Sequence, residues 1–136
     1  MYHDFTLPQS GWIALLSITH RYEFLDLFKR AVYELYDRPA SERHSESEPS
    51  HAELISLAEK YDVPLQNVLR SIIALVIRPQ SPMEAEIVHL STLAICRLGR
   101  AREEYIRLTM RRSMNFEGRV NMAKEIVCGV WRAAQD

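Results

Sequence analysis

PLQNVLRSIIALVIRP, residues 64–79, is the most apolar stretch of the chain. Leu65, Val68, Leu69, Ile72, Ile73, Leu75, Val76 and Ile77 recur at three- and four-residue spacing and cover most of a helical cylinder. Its Ile and Val content is the one β-like signal in the sequence, but its length and lack of glycine predict helix. Pro64 suits a first helical turn, where a missing N–H costs nothing. Arg78–Pro79 ends the helix, because the residue before a proline is pushed out of the helical region. A helix apolar on most sides is central and needs cover on most sides.

The flanks predict more helices. Upstream, Ser50 with Glu53 three residues on forms a capping box, and Leu54, Ile55, Leu57, Ala58 and Tyr61 give the face behind it. Further back, Trp12, Ile13, Leu15, Leu16 and Ile18 make one face of a helix over about Gln9–His20, with Thr6 or Ser10 as cap. Phe24, Leu25, Leu27, Phe28, Ala31, Val32 and Leu35 predict a second over about Glu23–Tyr36. The tight link between these two makes them packed neighbours. Downstream, Ser81–Pro82 starts a short helix to about His89. Ser91 or Thr92 caps a longer one to about Arg112, with core positions Leu93, Ala94, Cys96, Leu98, Ala101, Tyr105, Leu108 and Met110. A last helix spans about Phe116–Ala134 through Val120, Ala123, Ile126, Val127, Val130 and Trp131. The expectation is an all-α, compact orthogonal array of six or seven helices in a single domain over 1–136. It comprises a helix pair over 1–36, a flexible loop over 37–49 (DRPASERHSESEP) and a helical remainder over 50–136.

Composition removes several function classes. The chain has 136 residues, 47% hydrophobic and 26% charged, which suits one globular domain with a real core. Its longest uninterrupted apolar run, Ile72–Ile77, is far short of the ~20 residues of a membrane span. No basic-then-apolar leader follows Met1, so the expected compartment is cytoplasmic or nuclear. Cys96 and Cys128 stand too far apart for a zinc or redox motif and are expected to be reduced core thiols. The net charge of −1 draws the chain toward neither nucleic acid nor anionic lipid, but it is unevenly spread. Residues 97–136 carry nine basic and five acidic groups, whereas residues 1–96 carry eight and thirteen.

Each candidate site also has a plainer role. Arg100, Arg107 and Arg111, with Arg97, Arg102 and Arg112 nearby, offer an acidic-partner or nucleic-acid face over 97–112. The plainer role, a solvated helix face partly neutralised by Glu103 and Glu104, is favoured, and aromatic interleaving is thin. His44 and His51 flank Glu46 and Glu48, a metal-like donor mix, but on a loop that lacks a rigid surround. Ser45 with Glu48 has the form of an acid-directed phosphorylation site. No glycine-rich phosphate loop, nucleophile elbow or His-Glu-x-x-His motif occurs. The expectation is no catalytic residue, no metal and no cofactor, with a ligand pocket or an unmotifed enzyme on the helical scaffold as the alternative.

GWIALLSITHRYEFLDLFKRAVYEL (11–35) resembles the last helix pair of the BTB/POZ fold in the large basidiomycete-type fungal family of these proteins. HAELISLAEKYDVP (51–64) and IALVIRPQSPMEAEIVHLSTLAICRLGRAREEY (73–105) resemble the BACK-like helices that follow it, so the likeness covers Tyr2 to about Tyr105. Two positions depart from the family pattern. Pro64–Leu65–Gln66–Asn67 stands where a Trp-Leu pair is usual, and Ser81–Pro82–Met83 where a Leu-Thr pair is usual. No sheet-forming stretch precedes the pair, so the resemblance implies a truncated relative or a fragment. It also implies a protein–protein scaffold that is not an enzyme, with a cullin-type ubiquitin ligase among its partners. In the full fold the pair leans partly on the sheet. Trp12, Leu16, Phe24, Phe28 and Tyr36 are therefore expected to be exposed and covered by a partner protein or by a second copy.

Overall fold

A computed structural model describes residues 7–37, 50–79 and 84–133. Among these residues it has seven α-helices and no strand. Helix α1 spans Gln9–Tyr22 and α2 spans Leu25–Val32, which continues into a π-helical turn over Tyr33–Asp37. Helices α3 (His51–Lys60), α4 (Leu65–Ile77), α5 (Glu84–Ile87), α6 (Thr92–Thr109) and α7 (Phe116–Ala133) follow. The expected Thr6 cap, the start at Ser81–Pro82, most of the 37–49 loop and Ala134 lie outside the described residues.

Local chemistry sets the helix starts. The Ser50 hydroxyl accepts from the Glu53 amide at 3.2 Å, and the Ser91 hydroxyl accepts from the Ala94 amide at 3.0 Å. Asn115 does the same for α7, its side-chain oxygen accepting from the Gly118 amide at 2.8 Å. Pro64 sits one residue ahead of α4.

Helix α4 is the hub. It packs against α3, α6, α7 and the π turn, and Ile72, Leu75 and Val76 are fully buried. Helices α1 and α2 form a hairpin that joins the rest through the π turn, which touches both α1 and α4. There Glu34, Leu35 and Tyr36 all face inward. The expected continuous helix to Tyr36 widens at this point, and the buried Glu34 carboxylate is met by Arg30, whose Nε donates at 3.0 Å. Arg30 in turn lies over the Trp12 ring, 5.4 Å from its centroid.

Helix α6 differs most from expectation. Ala94, Leu98, Ala101, Arg102 and Tyr105 are buried, whereas Leu93, Cys96 and Met110 are exposed and Leu108 is half-buried. The expected apolar set straddled both sides of the helix, and only one stripe can face α4. One position of that stripe is an arginine. Arg102 Nη1 donates to the carbonyls of Leu75 (2.7 Å) and Arg78 (2.9 Å), and Nη2 donates to that of Pro79 (3.3 Å). It thus caps the carbonyl end of α4, where a cation also meets the helix dipole. Arg78 turns away and its Nη1 donates to Glu86 at 2.9 Å, which ties the segment ahead of α6 to the same corner.

Replacing Arg102 by Met leaves the buried Leu75 carbonyl and the part-buried carbonyls of Arg78 and Pro79 without this partner. Urea denaturation of R102M should show a loss of about 2–4 kcal/mol, with R102K intermediate because it keeps the charge but loses the fork.

Candidate functional site

The residues expected to form an exposed apolar face separate into two groups. Trp12 (2% exposed), Leu16 (0%) and Tyr36 (3%) are core residues, which corrects the expectation for all three. The chain supplies its own cover. Leu16 is enclosed where α1 meets α2 and the π turn, and the Tyr36 hydroxyl donates to the Leu54 carbonyl on α3 at 2.7 Å. Phe28 is half-buried, packed against the core and 6.2 Å from the His20 ring. Phe24 alone of the five is exposed, at 54%.

Phe24 is not the one exposed apolar side chain on these elements. Ile18, Tyr22, Leu25 and Tyr33 are all exposed large apolar side chains of α1, α2 and the π turn. The Tyr22 and Phe24 rings are 6.3 Å apart. They are turned outward by the way α1 stops. Glu23 takes the left-handed conformation (φ 59°), and the Phe24 amide donates back to the Thr19 carbonyl at 3.0 Å. Glycine is the usual residue at such a position, and glutamate there costs roughly 1 kcal/mol. A groove of about 370 Å³, lined by Thr19, His20, Glu23, Leu25 and Phe28, runs alongside.

His20 anchors the back of this corner. Its Nε2 lies 2.9 Å from an Asp62 carboxylate oxygen, and its ring meets Tyr61 edge-on at 5.7 Å. Asp62 is also left-handed (φ 57°), at the end of α3. The two left-handed helix ends are thus fastened to each other through one imidazole. Tyr61 titrates below its ordinary value because it hydrogen-bonds Ser17 and has the Lys60 ammonium over its ring.

The arginine face does not assemble as expected. Arg102 is buried in the α4 cap. Helix α6 ends at Thr109, so Arg111 and Arg112 fall beyond it and leave the helical spacing that linked Arg111 to Arg107. Arg107 donates to its neighbour Glu104 at 3.1 Å. Arg100 and Arg107 share a groove with Glu103, Glu104 and Glu125, more acids than bases. Arg97 lies over Trp131, 5.8 Å from its centroid.

A cleft of about 400 Å³ between α3, α4, α6 and α7 holds Glu59, Asp62 and Arg97 over an apolar floor that includes Ile72 and Trp131. Its carboxylates are already occupied. Glu59 accepts from the Ser91 hydroxyl at 2.9 Å, and Asp62 is engaged by His20. One hydroxyl–imidazole pair escaped the sequence reading. His51 Nδ1 lies 3.2 Å from the Ser71 hydroxyl. Ser71 is buried in the middle of α4, so this pair ties α3 to α4 rather than meeting a substrate. Cys96 is exposed and Cys128 half-buried, which corrects the expectation of two core thiols. His44, Ser45, Glu46 and Glu48 lie outside the described residues. Among the described residues no cluster of His, Cys, Asp and Glu is placed to hold a metal, and no helix is long and apolar enough to cross a membrane.

No protein-family model, curated protein or solved structure matches the chain.

The buried Tyr36 gives a titratable test of its placement. Burial holds its phenol far above the ordinary 10.0, so the unfolded chain gives up this proton first as pH rises. The contribution to stability is whole below pH ~10 and declines above it. Y36F should lose about 1 kcal/mol at neutral pH and show a shallower alkaline decline, both read by urea denaturation across pH.

Proposed function

We propose that the protein is a protein–protein interaction module that docks a partner protein through the corner between α1 and α2. The observation that carries this is that Ile18, Tyr22, Phe24 and Leu25, all within eight residues around the α1–α2 turn, are each at least half exposed, with the Tyr22 and Phe24 rings 6.3 Å apart. Scattered exposed apolar side chains are ordinary, but a contiguous set marks a contact surface. Aromatic anchors such as Tyr22 and Phe24 are the residue types that dominate binding energy when a partner covers them. The groove beside Leu25 and Phe28 offers a pocket for an apolar side chain of that partner.

The resemblance to the last BTB helix pair implies a protein–protein scaffold, which agrees with this reading. By the same resemblance a cullin-type ubiquitin ligase scaffold is the partner class to try first. The alternatives draw less support. The Arg100–Arg107 groove is more acidic than basic, and in the cleft near Arg97 the two carboxylates already have partners within the chain while, among the described residues, the buried Arg97 Nε has none.

The double variant F24D/L25D should keep its helical circular dichroism and its stability to within about 0.5 kcal/mol, because both side chains are exposed. It should bind less 8-anilinonaphthalene-1-sulfonate than the parent protein. It should also lose proteins that the parent captures from lysate of its own cells. Unchanged dye binding together with unchanged capture would contradict the proposal.

A further inference from the structure

A second surface, on α6, shares no residue with the α1–α2 corner. Helix α6 stands as a ridge between two grooves, and Glu103 lines both of them. On one side Ile95, Gly99 and Ile106 form an apolar stripe facing a groove of about 390 Å³, closed across the way by Ile87 and Leu90. Its floor is open at Gly99, where an added Cβ would meet no atom within 4 Å. Val88 and Met110 extend the exposed apolar area, at 74% and 81% exposed. On the other side lie Arg100 and Arg107. Arg107 is held by Glu104, whereas Arg100 and Glu103, one turn apart at the centre of the ridge, form no ion pair among the described residues.

We propose that a second copy of this chain docks here, with its α6 antiparallel to the first. The two-fold axis would pass between the two copies of α6, level with the Ala101–Arg102 step. An isologous contact sets each residue against its symmetry mate's counterpart, so this register places Arg100 opposite the second copy's Glu103, twice. The same register brings the second copy's Ile106 opposite Arg97 in sequence, between Ile95 and Gly99 along the stripe. There a side chain finds the open floor that glycine leaves. One register therefore satisfies both the unpaired charges and the apolar hole, which is the self-complementarity that favours a second copy over an unrelated partner. Helix α6 has 18 residues, about 27 Å. A contact built mainly on it lies at the small end of specific interfaces, so the dimer is weak and depends on concentration.

The charge pair makes the test reciprocal. Sedimentation velocity of the full chain should show a monomer–dimer equilibrium that shifts toward dimer as concentration approaches about 1 mM. R100E and E103R each place two like-charged pairs across the axis and should weaken self-association by about tenfold or more. Mixing R100E with E103R should restore dimers, because the heterodimer again sets opposite charges face to face. The double variant R100E/E103R should restore them alone. G99Q should fold at least as well as the parent, since the site is open and helical, yet stay monomeric. A parent chain that stays monomeric throughout this range would overturn the proposal. Reversals that leave dimerisation unchanged, or mixtures that fail to restore it, would do the same.

Discussion

The carbonyl end of α4 is the point on which the rest of the structure depends. The most apolar helix of the chain stops at Arg78–Pro79, where its last carbonyls are only partly open to solvent, without a glycine to turn them outward. Buried carbonyls left unpaired would each cost on the order of 1–3 kcal/mol. The guanidinium of Arg102 resolves this by donating to several of them at once. Its own burial and the nearby Arg78 both press its pKa downward, and Glu86 draws Arg78 aside and raises Arg78's. The arrangement locks α4, α5 and α6 together, and α7 closes over α4 and α6.

Once that hub is rigid, the α1–α2 hairpin has something to lean on. The π turn carries Leu35 and Tyr36 inward, and Trp12 is covered in part by Arg30. A helix pair that resembles one half of a helix-and-sheet layer therefore closes most of its apolar side with helices of the same chain. What stays open is the outer corner, where the left-handed Glu23 ends α1 and turns Tyr22 and Phe24 away from the core. The corner is supported from behind by His20 and Asp62, so it is held in place rather than being a loose end.

Much of this was legible locally. The periodicity of residues 65–77, the serines at 50 and 91 and the acid-led short helix depend on neighbours within a few residues, and the structure has them nearly where the sequence placed them. Most of the failures are non-local. Arg102 looked like one member of a solvated arginine helix because its partners lie 23–27 residues upstream. Trp12, Leu16 and Tyr36 looked exposed because their covering elements come from elsewhere in the chain, such as the Leu54 carbonyl 18 residues beyond Tyr36. Of the candidate site only Phe24 was legible. Ile18 and Leu25 read as ordinary members of an apolar face, Tyr22 read as part of the link between two helices, and no local signal marks Glu23 as left-handed, since glutamate is a poor residue for it. Arg111 was misplaced because the α6 boundary fell three residues early, and helix ends are set by packing as much as by composition.

The most direct test of the Arg102-capped hub is native-state hydrogen exchange, residue by residue. Amides of Leu75, Val76 and Ile77 in α4 and of Ala101, Arg102 and Tyr105 in α6 should be among the slowest in the protein, exchanging together and only through global unfolding. If the last turn of α4 instead exchanges quickly, like a frayed helix end, while α6 stays protected, the hub is not what holds this fold together.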